Sequence, residues 1–481
     1  MPQSQGRTIA IIGAGFSGSL LALHLLRRCE PEDRILLIER NQRFGLGLAY
    51  STGNSNHLLN VRAGNMSAFS DQPDHFVQWL RSLPAETRLQ LDEYPGPNSF
   101  APRGLFGRYV QQLLGDRIWR QGNDRNLFLV TDEAVALHRE EDRWSVELAV
   151  GRRLAVDHAV LAIGNFPPAR SQPGYFGDPW DPAALSDLNP DAPVLLVGTG
   201  LTMIDTVVSL LDQQHRGKIH AVSRRGLLPR MHGAVAQPRA FDAPPQGQSL
   251  RRLVRDVRAT VQQAAAEGTD WRAVIDALRP HTQRLWLEMP EQERRRFLRH
   301  VRPWWDVHRH RAAPKIFARI QEAQRHGQLQ LTAARIARID PCIGAVQVTL
   351  TPKNSEPSAL TVDRVIDCSG LQSDFARIDR PLIKQLLEAG HIRADNLRLG
   401  IDIAAHGAVV NTDGVTGGDL FAVGPLTKGA YWEIVAVPDI RLACEQLAKH
   451  LLSIPPRYEA PQQPSAEIIA FDHPSFTRLA R

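Results

Sequence analysis

Two glycine-centred stretches of this 481-residue chain carry residue types whose spacing suits phosphate chemistry. The first is Gly13-Ala14-Gly15-Phe16-Ser17-Gly18. Between a strand and a helix, Gly13 permits the tight turn, Gly15 lets a pyrophosphate approach the backbone, and Gly18 lets the helix pack on its strand. The amides of Phe16 and Ser17 then point at phosphate from a helix N-terminus, where unpaired N–H groups and the helix dipole favour an anion. Glu39 lies 21 residues beyond Gly18, where a carboxylate takes the ribose hydroxyls of an adenosine. The second stretch is Gly198-Thr199-Gly200-Leu201-Thr202-Met203. Methionine replaces the third glycine there, which predicts a helix standing slightly further from its strand. The position of the acid is held by Ser223-Arg224-Arg225. A carboxylate would repel a 2′-phosphate, whereas a hydroxyl and two guanidinium groups bind it through charge-assisted hydrogen bonds. The second site is therefore expected to take NADPH in preference to NADH.

A third candidate lies in "RPWWDVHRHRAAPK", Arg302–Lys315, where Trp304, Trp305, His308 and Arg311 are expected to line a pocket for an anionic substrate. The surrounding stretch, 251–325, holds 17 Lys and Arg against 9 Asp and Glu, more than the whole chain's formal excess of +6. No metal site is predicted. His308 and His310 are two residues apart, so on a helix their imidazoles point about 200° away from each other, poor geometry for chelation. The four cysteines (Cys29, Cys342, Cys368, Cys444) form no CxxC or CxxxxC pair, which argues against a dithiol centre. No run approaches the roughly 18 apolar residues of a membrane span, and a cytoplasmic location is expected. No nucleic-acid-binding module is visible.

The elements that must position these residues follow from the apolar pattern. Ile9–Ile12 and Ile35–Ile38 read as strands buried on both faces, with a helical stripe over Ser19–Arg28 between them. Lys218–Val222 is the matching second strand of the second unit. "DHAVLAIGNFPP" (Asp157–Pro168) and "DRVIDCSGLQSD" (Asp363–Asp374) echo one another as returning strands. Each follows a candidate β-meander, Trp144–Val156 and Val346–Val362. Pro167-Pro168 and Pro173–Pro193 read as a linker, and Ser249–Gln328 as a helical insert. The tail after Leu452 is rich in Pro and Gln and is expected to pack loosely.

Two GxG units, one ending in Glu and the other in Ser-Arg-Arg, each closed by an "AIG" or "CSG" strand, resemble the two-dinucleotide-binding-domain flavoproteins. "GLGLAYST" (Gly45–Thr52), "HLLNVRAGNMSAF" (His57–Phe69), "DHFVQWL" (Asp74–Leu80) and "SRRGLLPRMH" (Ser223–His232) are similar to a bacterial FAD-NAD(P)-binding branch related to flavin-dependent N-hydroxylating monooxygenases. The resemblance implies an α/β chain of two Rossmann-like, three-layer domains. An FAD domain would be built from 1–170 and 365–452, with an NADPH domain, 190–364, inserted into it and carrying the helical insert at about 249–328; 453–481 would be a C-terminal tail. It places FAD on the first loop with Glu39, and Gly45–Tyr50, Asn60–Met66 and Gly164 near the flavin. "GDLFAVGPLTKGAYWEIVAVPDIRLA" (Gly418–Ala443) would pass under it, with Gly424-Pro425 where the family has Gly-Asp. A helix starting near Glu433 would aim its positive end at the flavin N1–C2 carbonyl. The activity implied is an FAD- and NADPH-dependent monooxygenase that adds O2 to reduced flavin at C4a and hydroxylates a small anionic or amino-acid-like substrate. An NADPH-dependent flavin reductase with a non-oxygen acceptor, or a non-catalytic redox sensor, remains open on the residues alone.

Overall fold

Apolar runs of four to six residues, too short for helices and flanked by glycine, form the central strands of two parallel sheets. A computed structural model describes residues 6–89, 91, 94–119, 126–168, 171–234, 244–245, 247–353 and 355–456. In the first sheet, Thr8–Ile12 lies between Arg34–Glu39 and His158–Leu161, parallel to both, with Ile9 opposite Ile35 and His158. Leu127–Thr131 extends the sheet beyond Arg34–Glu39, and Thr416–Ala422 and Ala408–Val410 extend it on the other side. The second sheet repeats the order. Val194–Val197 lies between Ile219–Ser223 and Arg364–Asp367, with Val194 opposite Ile219 and Arg364. Leu329–Cys342 again continues beyond the second strand. Each unit also has its antiparallel meander, at Ala134–Val156 and Leu329–Val362.

The first sheet draws strands from both ends of the sequence, and the second is inserted between its returning strand and its last two strands. The chain is thus an α/β protein with two Rossmann-type units, one nested in the other. The long C-terminal helix, Val437–Ser453, packs on the helix of the first loop, Phe16–Leu26. Arg7 ties the ends together, donating to the carbonyls of Leu452 and Ile454 while pairing with buried Asp33 at 3.1 Å. The stretch 250–325 is helical throughout most of its length, opening at Ser249, whose hydroxyl caps the Leu250–Ala266 helix by accepting from the Arg252 amide. No helix among the described residues is long and apolar enough to cross a membrane. Most of the tail, 457–481, lies outside the described residues.

Candidate functional site

The first loop has the geometry its residue types demand. Gly13 has φ +100°, and a Cβ there would lie 2.6 Å from the Ala162 carbonyl oxygen on the returning strand. A Cβ at Gly18 would overlap the Gly13 carbonyl, so only glycine lets the helix start this close to the strand. The Phe16–Leu26 helix begins after extended Gly15 with no side chain capping it, leaving its first amides for a ligand. The side chains of Phe16 and Ser17 are buried, Phe16 against Tyr50 and Phe106, so only their amides could meet a ligand, and neither residue lines the adjoining cleft. Glu39 stands at the end of its strand, one oxygen accepting from the Ala14 amide at 3.0 Å and the other from Asn41 at 3.1 Å. Gly13, Gly15, Glu39 and Gly164 line one cleft of about 380 Å³. Open amides, a carboxylate at the strand end and clear space between them fit an adenosine diphosphate moiety.

Asn60, Met66 and Gly424 do not line that cleft. Asn60 uses its carbonyl to accept from His232 on the second unit. Met66 is buried in the core beneath the first loop helix. Gly424 packs on that helix so closely that a Cβ would lie 2.5 Å from Ser17 Oγ, and Pro425 opens a 3-10 turn.

Glu433 corrects the expectation of a helix start. The helix begins at Val437, and Glu433 is a buried anion in the turn before it. One carboxylate oxygen accepts from Trp305 Nε1 at 3.2 Å and the other pairs with Arg309 at 3.2 Å. Arg309 is itself only 12% exposed, so the pair fastens the helical insert to the C-terminal segment. Beside it, burial lowers the Lys428 amine to about 8, with the ammonium 4.7 Å from the Trp432 ring centre.

In the second loop, Gly198 has φ +108° and approaches the Cys368 carbonyl as Gly13 approaches Ala162. The Leu201–Asp212 helix also starts without a side-chain cap, after Gly200, and Thr202 lies in its first turn while Met203 is fully buried. Ser223 departs from its expected role. The Thr199 hydroxyl gives its one proton to the Leu227 carbonyl at 2.6 Å, so Ser223 must donate to Thr199, at 2.9 Å, while accepting from the Gly226 amide. Its proton is committed within the turn. Arg225 is partly engaged as well, reaching the Arg299 and His300 carbonyls at 3.3 Å. Arg224 is exposed and has no ion pair or hydrogen bond among the described residues.

In the insert, Trp304, Trp305 and His308 line one cavity. Arg311 does not. It is 4% exposed, and both terminal nitrogens bond the Asp276 carboxylate, at 3.1 and 2.6 Å, while Nε donates to the His308 carbonyl. Its charge is neutralised inside the insert, which removes it as an anion receptor.

Comparison with known proteins agrees with the first unit. Residues 10–166 match the family described as FAD-NAD(P)-binding. The ornithine hydroxylase of Pseudomonas aeruginosa in its reduced form superposes with a TM-score of 0.60 at 15% identity, over 93% of this chain and 99% of that one. The ornithine N-hydroxylase of Kutzneria sp. 744, a complex with reduced FAD, NADP+ and L-ornithine, gives 0.61 at 14%, over 92% and 98%. The L-lysine 6-monooxygenase of Pseudomonas syringae gives 0.58 at 16%, over 93% and 99%. The fold is that of these flavin enzymes. No curated protein matches the chain in sequence at a significant level.

One arrangement had no counterpart in the sequence reading. His57 Nδ1 meets Thr52 Oγ1 at 2.8 Å and its Nε2 meets Ser209 Oγ at 2.8 Å, so His57 bridges the first unit to the second loop helix. Arg103 pairs with Asp205 at 2.7 Å in the same seam, the side chains 14% and 7% exposed. The available signal was Asp205 itself, a lone acid inside the apolar run "MIDTVVSLL" that demands a partner.

Proposed function

We propose that this chain is an FAD- and NADPH-dependent monooxygenase acting on a small organic anion. The observation that carries the reading is the pairing of two uncapped helix N-termini on duplicated units, one ending in Glu39 and the other in Ser223-Arg224-Arg225. The first loop, Glu39 and the cleft through Gly164 would hold FAD, and the second loop with Arg224 would hold NADPH. When bound, the flavin supplies two-electron transfer between NADPH and O2.

The chain's own contribution is to bind and orient. Arg103–Asp205 and the His57 bridge fix the second loop helix against the first unit, so the two nucleotide sites keep one relative orientation. Glu433 and Arg309 tie the insert to the C-terminal segment. The four free cysteines give no dithiol alternative, and burial pushes the Cys368 thiol up to about 12, where it stays protonated. Similarity in fold to ornithine and lysine hydroxylases supports oxygen as co-substrate, and the basic insert supports an anionic substrate. The test is to mix the purified yellow protein with NADPH without oxygen, then admit oxygen. Bleaching by NADPH, then oxygen-dependent reoxidation in which an added organic acid is hydroxylated and hydrogen peroxide release falls, supports the reading; reoxidation that releases one peroxide per NADPH whatever is added points to a flavin reductase instead. Failure of NADPH to bleach the flavin rules it out.

A further inference from the structure

The insert, with Trp432 of the C-terminal segment, lines an open-mouthed cavity of about 760 Å³ that shares no lining residue with the first-loop cleft. The Leu250–Ala266 helix presents Leu250, Leu253, Val254, Val257 and Val261 to it, an i, i+3, i+4, i+7, i+11 stripe that in a closed bundle would be covered by a neighbouring helix. Five tryptophans complete the wall, Trp271, Trp286, Trp304, Trp305 and Trp432. The volume is that of a site for an organic molecule of moderate size.

The polar groups are few, and Arg258 carries the one formal charge among them. No Asp or Glu lines the cavity, while Arg258, His300 and His308 do. Arg258 is exposed at the edge and has no carboxylate partner among the described residues, although Arg252 and Arg255 on the same helix both reach Asp256. A second cation adjoins the mouth, with the Arg225 guanidinium 6.0 Å from the Trp304 ring centre. An amino group has nothing here to neutralise it, so the lysine and ornithine side chains are poor occupants. A flat or long apolar body with a single acid group satisfies both the walls and the rim.

We propose that the insert cavity binds an apolar monoacid, its ring or chain among the tryptophans and its acid group at Arg258 and His300. This is a claim about binding, and it stands whether or not the ligand is then oxidised. The test uses the cofactor-loaded protein, with 8-anilino-1-naphthalenesulfonate as a fluorescent aromatic acid and dodecanoate and dodecylamine as competitors. One saturable site is expected, displaced by dodecanoate at least tenfold more effectively than by the amine. Val257→Trp, which fills the cavity, is expected to abolish binding. Arg258→Glu, at an exposed position, is expected to weaken the sulfonate at least tenfold while leaving flavin content and the melting midpoint unchanged. Absence of saturable binding overturns the proposal, as does an affinity that Arg258→Glu leaves unchanged, or equal displacement by acid and amine. None of these readouts uses NADPH oxidation, so the proposed flavin chemistry and this site succeed or fail separately.

Discussion

Replacing Arg224 with alanine is expected to remove most of the preference for NADPH over NADH. Three residues of the turn were candidates for the 2′-phosphate, and the structure separates them. Ser223 spends its proton on Thr199, and Arg225 rests on the Arg299 and His300 carbonyls at 3.3 Å. Arg224 keeps its donors free of any partner among the described residues. A hydrogen bond to a charged group contributes roughly 1.5–3 kcal/mol, and exposure to solvent puts this one at the lower end. About 1.4 kcal/mol is one decade, so kcat/KM for NADPH should fall about tenfold in Arg224→Ala while NADH changes by less than about twofold. Raising the ionic strength from about 0.1 to 1 M shortens the screening length from about 10 to 3 Å, which should shrink the wild-type preference and leave the variant indifferent. Arg225→Ala should affect both nucleotides alike, through the insert. Steady-state kinetics with both nucleotides at two salt concentrations reads all of this. An equal loss for NADPH and NADH in Arg224→Ala would refute the assignment.

Gly15→Val should abolish FAD copurification, because a Cβ at Gly15 already lies 3.3 Å from Gly47 Cα and its branches would fill the phosphate path; a fully yellow variant would contradict the first site. Glu39→Ala should weaken FAD by roughly 1–3 kcal/mol, read as a Kd by titration of the apoprotein. Glu433→Gln keeps the acceptor for Trp305 but leaves Arg309 buried without its counter-ion, a loss of about 3–5 kcal/mol in urea unfolding, which Glu433→Leu with Arg309→Met should largely restore. Burial lowers His24 to about 4, with neither ring nitrogen hydrogen-bonded among the described residues. The unfolded chain takes up that proton below about pH 6.5 and the folded one only near 4, so stability should fall as pH drops through this window. His24→Leu should flatten that slope in denaturant titrations at pH 4.5 and 6.5; an unchanged slope would count against it.

The parallel cores were readable because a strand covered on both faces must be apolar throughout, so "IAII" and "VLLV" stand out from their flanks. The observed strands Thr8–Ile12 and Ile219–Ser223 lie within a residue or two of the expected ones. Glycine positions were readable for a related reason, since their role depends on the absence of a side chain and not on any distant partner. Charged side chains were less so. Arg311 reads as a free cation until Asp276, 35 residues earlier, is brought beneath it. Glu433 reads as the first turn of a helix until Arg309 and Trp305 arrive from the insert. In both cases the neutralising partner is supplied by tertiary packing, which apolar periodicity does not encode.

The same distinction explains the substrate side. Basic excess in 251–325 suggests an anion, and the residues expected to meet it were those clustered in Arg302–Lys315. Packing turns that cluster inside out. Arg309 and Arg311 are consumed by Glu433 and Asp276, and Arg302 reaches Asp306 at 3.2 Å. What remains towards the cavity is indole surface, with uncommitted charge displaced to Arg258 on a different helix. A buried guanidinium must be paired to be tolerated, so arginines close to the insert's interior become its fasteners. Those left at the rim can stay unpaired because water solvates them, and they alone keep the capacity to select a charged ligand. On this argument the ligand's charge is read at the mouth of the insert and its shape in the interior, the reverse of a pocket built to hold a zwitterionic amino acid at both ends.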